Sequence, residues 1–153
     1  MRAVRAVVQR VVRAHVDVVS DDGSRQRVGA IERGLCVFVG VTHDDSVAHA
    51  TKLAERIWHL RVMEDDHGVM NRSIADTNAA VLVVSQFTLY GDTSRGRRPS
   101  WIAAARPEQA EPLVQVVVDE LARLGATVAT GRFRTDMAVE LVNDGPVTIL
   151  LEV

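Results

Sequence analysis

One cysteine, Cys36, stands in 153 residues, so no intrachain disulfide can staple this fold. A chain of this length can bury an adequate core without staples. The lone thiol fits a reducing compartment, and a cytoplasmic location is the expectation. Cys36 sits in the apolar run Gly34–Thr42, where it reads as a small core hydrophobe rather than a nucleophile. No apolar run approaches the roughly 18–20 residues that cross a bilayer, so no membrane partner is expected. A basic excess is also lacking: the net charge is −2. Proteins that grip nucleic acid by phosphate neutralisation alone carry a broad positive surplus. Any contact with RNA must then rest on a local patch or a specific pocket.

The common catalytic signatures are missing too. The chain has no Walker A loop, dinucleotide fingerprint, HExxH or Gly-x-Ser-x-Gly elbow. Its histidines, at 15, 43, 49, 59 and 67, form no ligand set with Cys or carboxylates. His67 lies in Glu64–Gly68 (EDDHG), which reads as a solvated turn rather than a cation site. Neither a metal nor a cofactor is expected. There is no internal repeat, low-complexity stretch or linker, and residues 1–153 read as one domain.

What is present is a valine-rich, alternating chain. Met1–Ala14 carries four arginines and no acid, superficially like a transit peptide, but its valine alternation favours a strand over residues 2–12. His15–Ser20 and Arg25–Ile31 read as a hairpin around Asp21-Asp22-Gly23-Ser24. Leu35–Val41 reads as a strand covered on both faces. Asp44, Asp45 or Ser46 can cap a helix running to about Leu60, with Val47, Ala50, Leu53, Ala54, Ile57 and Trp58 on its apolar face.

Ala80–Ser85 is a further buried strand, and Pro99–Ala105 suggests a short helical turn. A second helix is expected from about Glu108 to Leu124, stopping at Gly125; Pro112 argues for a later start near Ala110. Its stripe is Leu113, Val114, Val117, Leu121 and Leu124. Strands at Val128–Arg132, Ala138–Val142 and Val147–Val153 complete the set. About seven strands and two main helices predict a mixed α/β fold, a largely antiparallel sheet or partial barrel.

Three segments can carry chemistry. Ser85, Gln86 and Thr88 put polar side chains at the end of a buried strand, around Phe87. Backbone N–H groups there can point at a substrate oxyanion, or the segment can be a polar strand end plugged by Phe87. Gly145-Pro146 lies between two strands, where it can be a plain turn or a rigid backbone wedge; spacing does not fix its isomer. Arg95, Arg97 and Arg98, with Trp101 nearby, can bind phosphates and a base, or form a solvated loop.

Taken together the motifs have a counterpart. AVVQRV at 6–11, SQFTLYGD at 85–92, RGRRPSW at 95–101, TGRFRTDM at 130–137 and LVNDGPVT at 141–148 resemble the D-aminoacyl-tRNA deacylase family in order and spacing. The resemblance covers essentially the whole chain. It implies a homodimer with an active site at each side of the interface. It implies hydrolysis of the ester between a D-amino acid, or glycine on a mismatched tRNA, and the 3′-terminal adenosine of tRNA.

The family's cis Gly-Pro falls on Gly145-Pro146. It is expected to reach into the partner's pocket and to exclude L side chains by a backbone wall. Arg10 and Asn143 are implied as supports of that dipeptide, and Met137 as a pocket wall. Ser85, Gln86, Phe87 and Thr88 are implied to face the scissile ester. The resemblance leaves two roles for Thr88: nucleophile, or backbone donor beside Phe87 for an attack by water. The alternatives to this enzyme are a non-catalytic dimer that binds the tRNA end and a general esterase with Thr88 as nucleophile.

Overall fold

The structure, a computed structural model, describes residues 4–153. Arg2 and Ala3, the start of the predicted first strand, lie outside the described residues. The elements run β1 (Arg5–Val19), β2 (Arg25–Ile31), β3 (Gly34–Gly40), α1 (Val47–His59), β4 (Met63–Glu64) and β5 (Met70–Arg72). They continue with α2 (Ile74–Thr77), β6 (Ala80–Ser85), a 3-10 turn (Phe87–Tyr90), α3 (Pro107–Leu124), β7 (Val128–Thr130) and β8 (Met137–Glu152).

β1 organises the sheet. β8 pairs antiparallel with it from Arg5 to Val18, covering one edge. The other edge is shared, by β3 over Arg5–Val11 and by β2 over Ala14–Val19. From β3 the sheet continues through β6 and β7, both added in parallel. β7 then curls back towards β2, where a Cβ on Gly29 would collide with the Thr130 carbonyl oxygen. The result is a mixed α/β fold with a nearly closed, barrel-like sheet and three helices.

A bulge lets β1 serve two cores. Val4, Ala6 and Val8 face the helices, in a core shared with Leu53, Ile57, Val117 and Leu121. The register slips around Val11, and Val11, Ala14 and Val16 then face the barrel interior with Ile31, Cys36, Leu82 and Val84. Alternation alone would put Val11 and Ala14 on opposite faces; the extra residue reverses the phase. β3 is buried on both sides, as its unbroken apolar run requires: Leu35, Val37 and Val39 face the helices while Cys36 faces the interior.

Local signals explain the helices. Ser46 caps α1: its Oγ accepts from the His49 N–H, and His49 Nδ1 accepts from the Ser46 N–H at 3.1 Å. Ala50, Leu53, Ala54 and Ile57 give the buried stripe. α3 starts at Pro107, earlier than Pro112 suggested. Pro112 lies in the exposed second turn, where water can satisfy the carbonyl that its missing N–H abandons. Gly125, at φ 116°, ends the helix.

Several expectations need correction. The two N-terminal strands are one, because the bulge bends β1 without breaking it. The two C-terminal strands are likewise one, β8. Residues 99–105 form turns and isolated bridges, not a helical turn. The polar turn expected at 64–68 is present, but it closes a small β4–β5 hairpin that the sequence did not announce, and the capped turn α2 follows it. Both were too short to leave a periodic signal.

Candidate functional site

The site begins where β6 ends. Ser85 pairs with Val39 of β3, and the Gln86 N–H donates to the Val39 carbonyl at 2.7 Å. The chain then turns sharply through Phe87–Tyr90. Gly40 allows this, since a Cβ there would stand 2.9 Å from Leu89 Cβ. The turn's first hydrogen bond runs from the Leu89 N–H to the Gln86 carbonyl. The Phe87 and Thr88 N–H groups precede it and meet no acceptor among the described residues. The Gln86 side-chain amide donates to Thr88 Oγ1. Among the described residues no His, Lys or carboxylate contacts that hydroxyl.

Ser85, Gln86 and Phe87 open onto a cavity of about 560 Å³. One wall is the segment from Trp101 to Ala105. Trp101 packs its ring against Gly91, where a Cβ would stand 2.6 Å from Cζ3, and meets Phe87 edge-on at 5.3 Å between centroids. Three contacts stitch this segment to the end of β3. The Ala105 N–H donates to the Val41 carbonyl, Thr42 Oγ1 donates to the Ala103 carbonyl, and His43 Nε2 bonds the Ile102 carbonyl. The first turns of α3 add Pro107, Ala110 and Val114. The last wall is Phe133–Thr135 with Met137, which leads into β8.

Gly145-Pro146 is elsewhere. Gln9 pairs with Thr148, and Val11 pairs with Asn143. Two steps along β1 thus match five along β8, so Asp144–Val147 is pushed out of the ladder. The Gly145-Pro146 peptide bond is cis and Gly145 has φ 123°. Both residues are exposed, and neither lines the cavity.

The bulge is anchored from inside. Arg10 is only 5% exposed. Its Nε donates to the Asp144 carbonyl at 3.2 Å and its Nη1 to the Val62 carbonyl at 2.8 Å. The carboxylates of Asp144 and Glu64 lie 3.4 and 3.6 Å from the same guanidinium. Asn143 spans the bulge, accepting the Val147 N–H at 3.0 Å and donating to Thr148 Oγ1 at 3.1 Å.

The other sequence candidates divide. Met137 lines the cavity; Thr88 is exposed beside it. Arg95, Arg97 and Arg98 stand on a loop closed by paired hydrogen bonds between Asp92 and Ser100. They are exposed, outside the cavity lining, and without an ion-pair partner among the described residues. Sequence reasoning missed Phe133, Arg134 and Thr135 as lining residues, and missed Val62 and Glu64 as partners of Arg10. The segment 130–137 carried a signal only as part of the resemblance.

Fold and site define a class: a small α/β protein with a nearly closed sheet, whose pocket opens at the polar end of a buried parallel strand. The family described as D-Tyr-tRNA(Tyr) deacylase matches residues 7–152. Proteins called D-aminoacyl-tRNA deacylase are similar over nearly the whole chain. That of Heliobacterium modesticaldum is 54% identical over 148 residues, 97% of this chain and 95% of its own length. That of Symbiobacterium thermophilum is 57% identical over the same shares.

Among solved structures, "c-Myc DNA Unwinding Element Binding Protein" superposes with a TM-score of 0.89 at 37% identity, over 97% of this chain and 98% of that one. A probable eukaryotic D-amino acid tRNA deacylase gives 0.82 at 14% identity over 99% and 100%, a likeness of fold alone. The chain belongs to the D-aminoacyl-tRNA deacylase family.

Proposed function

We propose that this protein hydrolyses the ester joining a D-amino acid to the 3′-terminal adenosine of tRNA, releasing free amino acid and free tRNA. The observation that carries the reading is the pair of unused N–H groups of Phe87 and Thr88 at the end of β6, beside a pocket of nucleoside size. Water attacks the ester carbonyl, the two N–H groups hold the oxyanion, and the bond to the 3′-oxygen breaks as that oxygen takes a proton. The RNA's own 2′-hydroxyl stands next to the reacting ester and assists the attack. An aminoacyl ester is already activated, so two backbone donors can supply much of the acceleration; one such donor is worth about 10²–10³ in rate.

A nucleophilic Thr88 is the weaker reading. A threonine nucleophile needs a base within hydrogen-bond reach. The group that contacts the Thr88 hydroxyl is the Gln86 amide, which is no base.

The active form in this reading is a homodimer. Gly145 and Pro146 are exposed on β8 and outside the lining of their own cavity, while Leu150 on the same strand is 75% exposed. A second copy would receive the dipeptide in its pocket, where a backbone wall obstructs any L side chain whatever its chemistry. Weak attraction to a small side chain discriminates by only about 1–3 kcal/mol, so exclusion is the stronger device. Glycine, with no side chain on either hand, passes the wall, and glycyl-tRNA is a proposed second substrate. Such an enzyme works beside translation, and a cytoplasmic location goes with the reading. Among the described residues no helix is long and apolar enough to cross a membrane.

The test is incubation with matched D- and L-aminoacyl-tRNA. Cleavage of the D-ester alone is expected. Equal cleavage of both, or of neither, would sink the proposal; tight tRNA binding without turnover would point to a non-catalytic binder.

A further inference from the structure

Among the described residues, one charged residue lines the cavity, Arg134. No carboxylate lines it. Among the described residues the Arg134 guanidinium has neither an ion-pair partner nor a hydrogen bond. Arg106, near the same rim, differs in being paired with Glu108 at 3.7 Å. A free cation facing an otherwise uncharged pocket creates a preference for an anion.

The backbone of Arg134 is as unusual as its surroundings. Its φ is 59°, in the left-handed region. Among the described residues only Asn78 and Arg134 adopt positive φ without being glycine, and Asn78 ends the helix α2. Asparagine is common at such a position; arginine is not. The turn is held from both sides: Thr135 Oγ1 donates to the Arg132 carbonyl at 2.7 Å, and Met137 packs its sulfur over Gly131, 2.7 Å from where a Cβ would be. Arg134 therefore stands on a fixed turn at the pocket wall, while Arg97 and Arg98 stand on a loop outside it.

We propose that Arg134 binds the phosphodiester on the 5′ side of the terminal nucleotide and so anchors the RNA end in the pocket. This rests on the aminoacyl-tRNA reading above. A cavity of about 560 Å³ has the size of a small-ligand site. It holds the reacting nucleoside with its amino acid, which leaves the adjoining phosphate at the rim. The two halves of the task separate: uncharged groups at Ser85–Thr88 face the ester, and one guanidinium takes the anion. The first turn of α3, which lines the same cavity through Pro107 and Ala110, adds the positive end of its dipole.

The experiment compares the intact protein with Arg134→Gly and Arg134→Lys on two substrates, a D-aminoacyl-tRNA and a D-aminoacyl-adenosine that carries no phosphate. Glycine takes positive φ freely, so Arg134→Gly removes the charge without straining the turn, and an unchanged melting temperature checks this. For Arg134→Gly, KM on the tRNA substrate should rise about tenfold with kcat within about twofold, the loss of one charge-assisted contact. The ratio of the two substrates' KM values should shift by the same factor. The slope of log(kcat/KM) against log[salt] should flatten by about 0.7, one phosphate contact to a single strand. Arg134→Lys should recover part of the loss.

An unchanged KM for Arg134→Gly on a tRNA that the parent protein cleaves would overturn this inference and leave the function standing. An equal rise on both substrates would overturn it too, since the contact would then be to the nucleoside or amino acid. A parent protein that cleaves neither substrate would overturn the functional reading and this inference with it.

Discussion

Arg10 and Asp144 are joined twice, with Arg10 Nε 3.2 Å from the Asp144 carbonyl oxygen and 3.4 Å from its carboxylate. One buried guanidinium on β1 therefore fixes the base of the Gly145-Pro146 protrusion on β8. The same group holds the Val62 carbonyl and lies near Glu64, so it also ties down the β4–β5 hairpin. Removing it leaves two carbonyls without their donor. Arg10→Ala should lower stability by about 2–4 kcal/mol in urea unfolding, the sum of two unmet partners. Arg10→Lys keeps the charge but cannot reach both carbonyls in the fork geometry, and should recover only part. A loss below about 1 kcal/mol for Arg10→Ala would mean that the protrusion is held by other contacts, with Asn143 the first to test.

Gly145 tests the protrusion itself. Its φ of 123° is one that residues with side chains rarely adopt. A Cβ there would stand 2.8 Å from Val147 Cγ2 and 3.1 Å from Arg10 Nη2. Gly145→Ala should reduce stability by about 1–3 kcal/mol. If the dipeptide walls a partner's pocket, D-aminoacyl-tRNA cleavage should fall at least about tenfold even where the variant is fully folded. Unchanged turnover in folded Gly145→Ala would argue that the dipeptide does not form that wall.

The strand end and the pocket wall were unequally legible. Ser85–Thr88 stood out because an unbroken apolar run stops at consecutive polar residues, and burial of β6 demands that pattern. The α1 face was equally plain except at Val47, which lies 60% exposed in the first turn, and so was the Gly125 stop; spacing sets the one and a backbone angle the other. The wall at Trp101–Ala105 was not. Its alanines have no period, and side-chain bonds to Thr42 and His43, far off in sequence, hold it in place. β1 looked like two strands because a bulge reverses the phase of its alternation. The left-handed angle at Arg134 left no trace, since nothing in the residue type announces it. Val62 and Glu64 became partners of Arg10 only through a hairpin too short to predict.

Cys36 offers a control on the interior of the barrel. It is fully buried, and burial pushes its thiol up to about 12. At pH 8 only about one part in 10⁴ is then thiolate, the reactive form. In the native protein Cys36 should resist a thiol-specific reagent at pH 8 for hours and react within minutes in denaturant. Rapid native labelling would mean that the sheet opens readily between β2 and β7.

Asp45 predicts a pH dependence of unusual sign. Burial raises its carboxyl above the usual 3.8, against a lowering hydrogen bond from the Thr42 N–H and the nearby His49. Among the described residues its Oδ1 accepts no hydrogen bond, and the nearest cation-forming group is His49 Nδ1 at 3.7 Å. A raised folded value means that Asp45 favours the fold fully below 3.8, and that this contribution is lost as pH rises through the folded value. Asp45→Asn keeps an oxygen for the Thr42 N–H and removes the buried charge. The variant should be at least as stable as the parent at pH 7, with its advantage shrinking as pH falls towards 4. Carboxylates held low by hydrogen bonds, such as Asp65 and Asp76, oppose this trend in both proteins and cancel in the difference. A variant clearly less stable at pH 7 would show that the charge is satisfied.

The chemistry at the strand end can be divided between side chain and backbone. Thr88→Ala removes the hydroxyl and keeps both N–H groups. Under the backbone-donor mechanism kcat should stay within about tenfold of the parent. Loss of a true nucleophile costs about 10⁶ in the serine-hydrolase comparison. The converse variant is Phe87→Pro. Phe87 opens the 3-10 turn, where a proline's fixed φ and missing N–H are tolerated, and Gln86 before it lies outside the helical region that a following proline disfavours, at φ −145° and ψ 82°. Phe87→Pro deletes one donor together with the ring, and Phe87→Ala deletes the ring alone. The ratio of their rates isolates the N–H and should fall near the 10²–10³ worth of one oxyanion donor. A dead Thr88→Ala alongside equal rates for the two Phe87 variants would reverse the assignment, making the hydroxyl the reacting group and leaving the N–H groups without a part in the reaction.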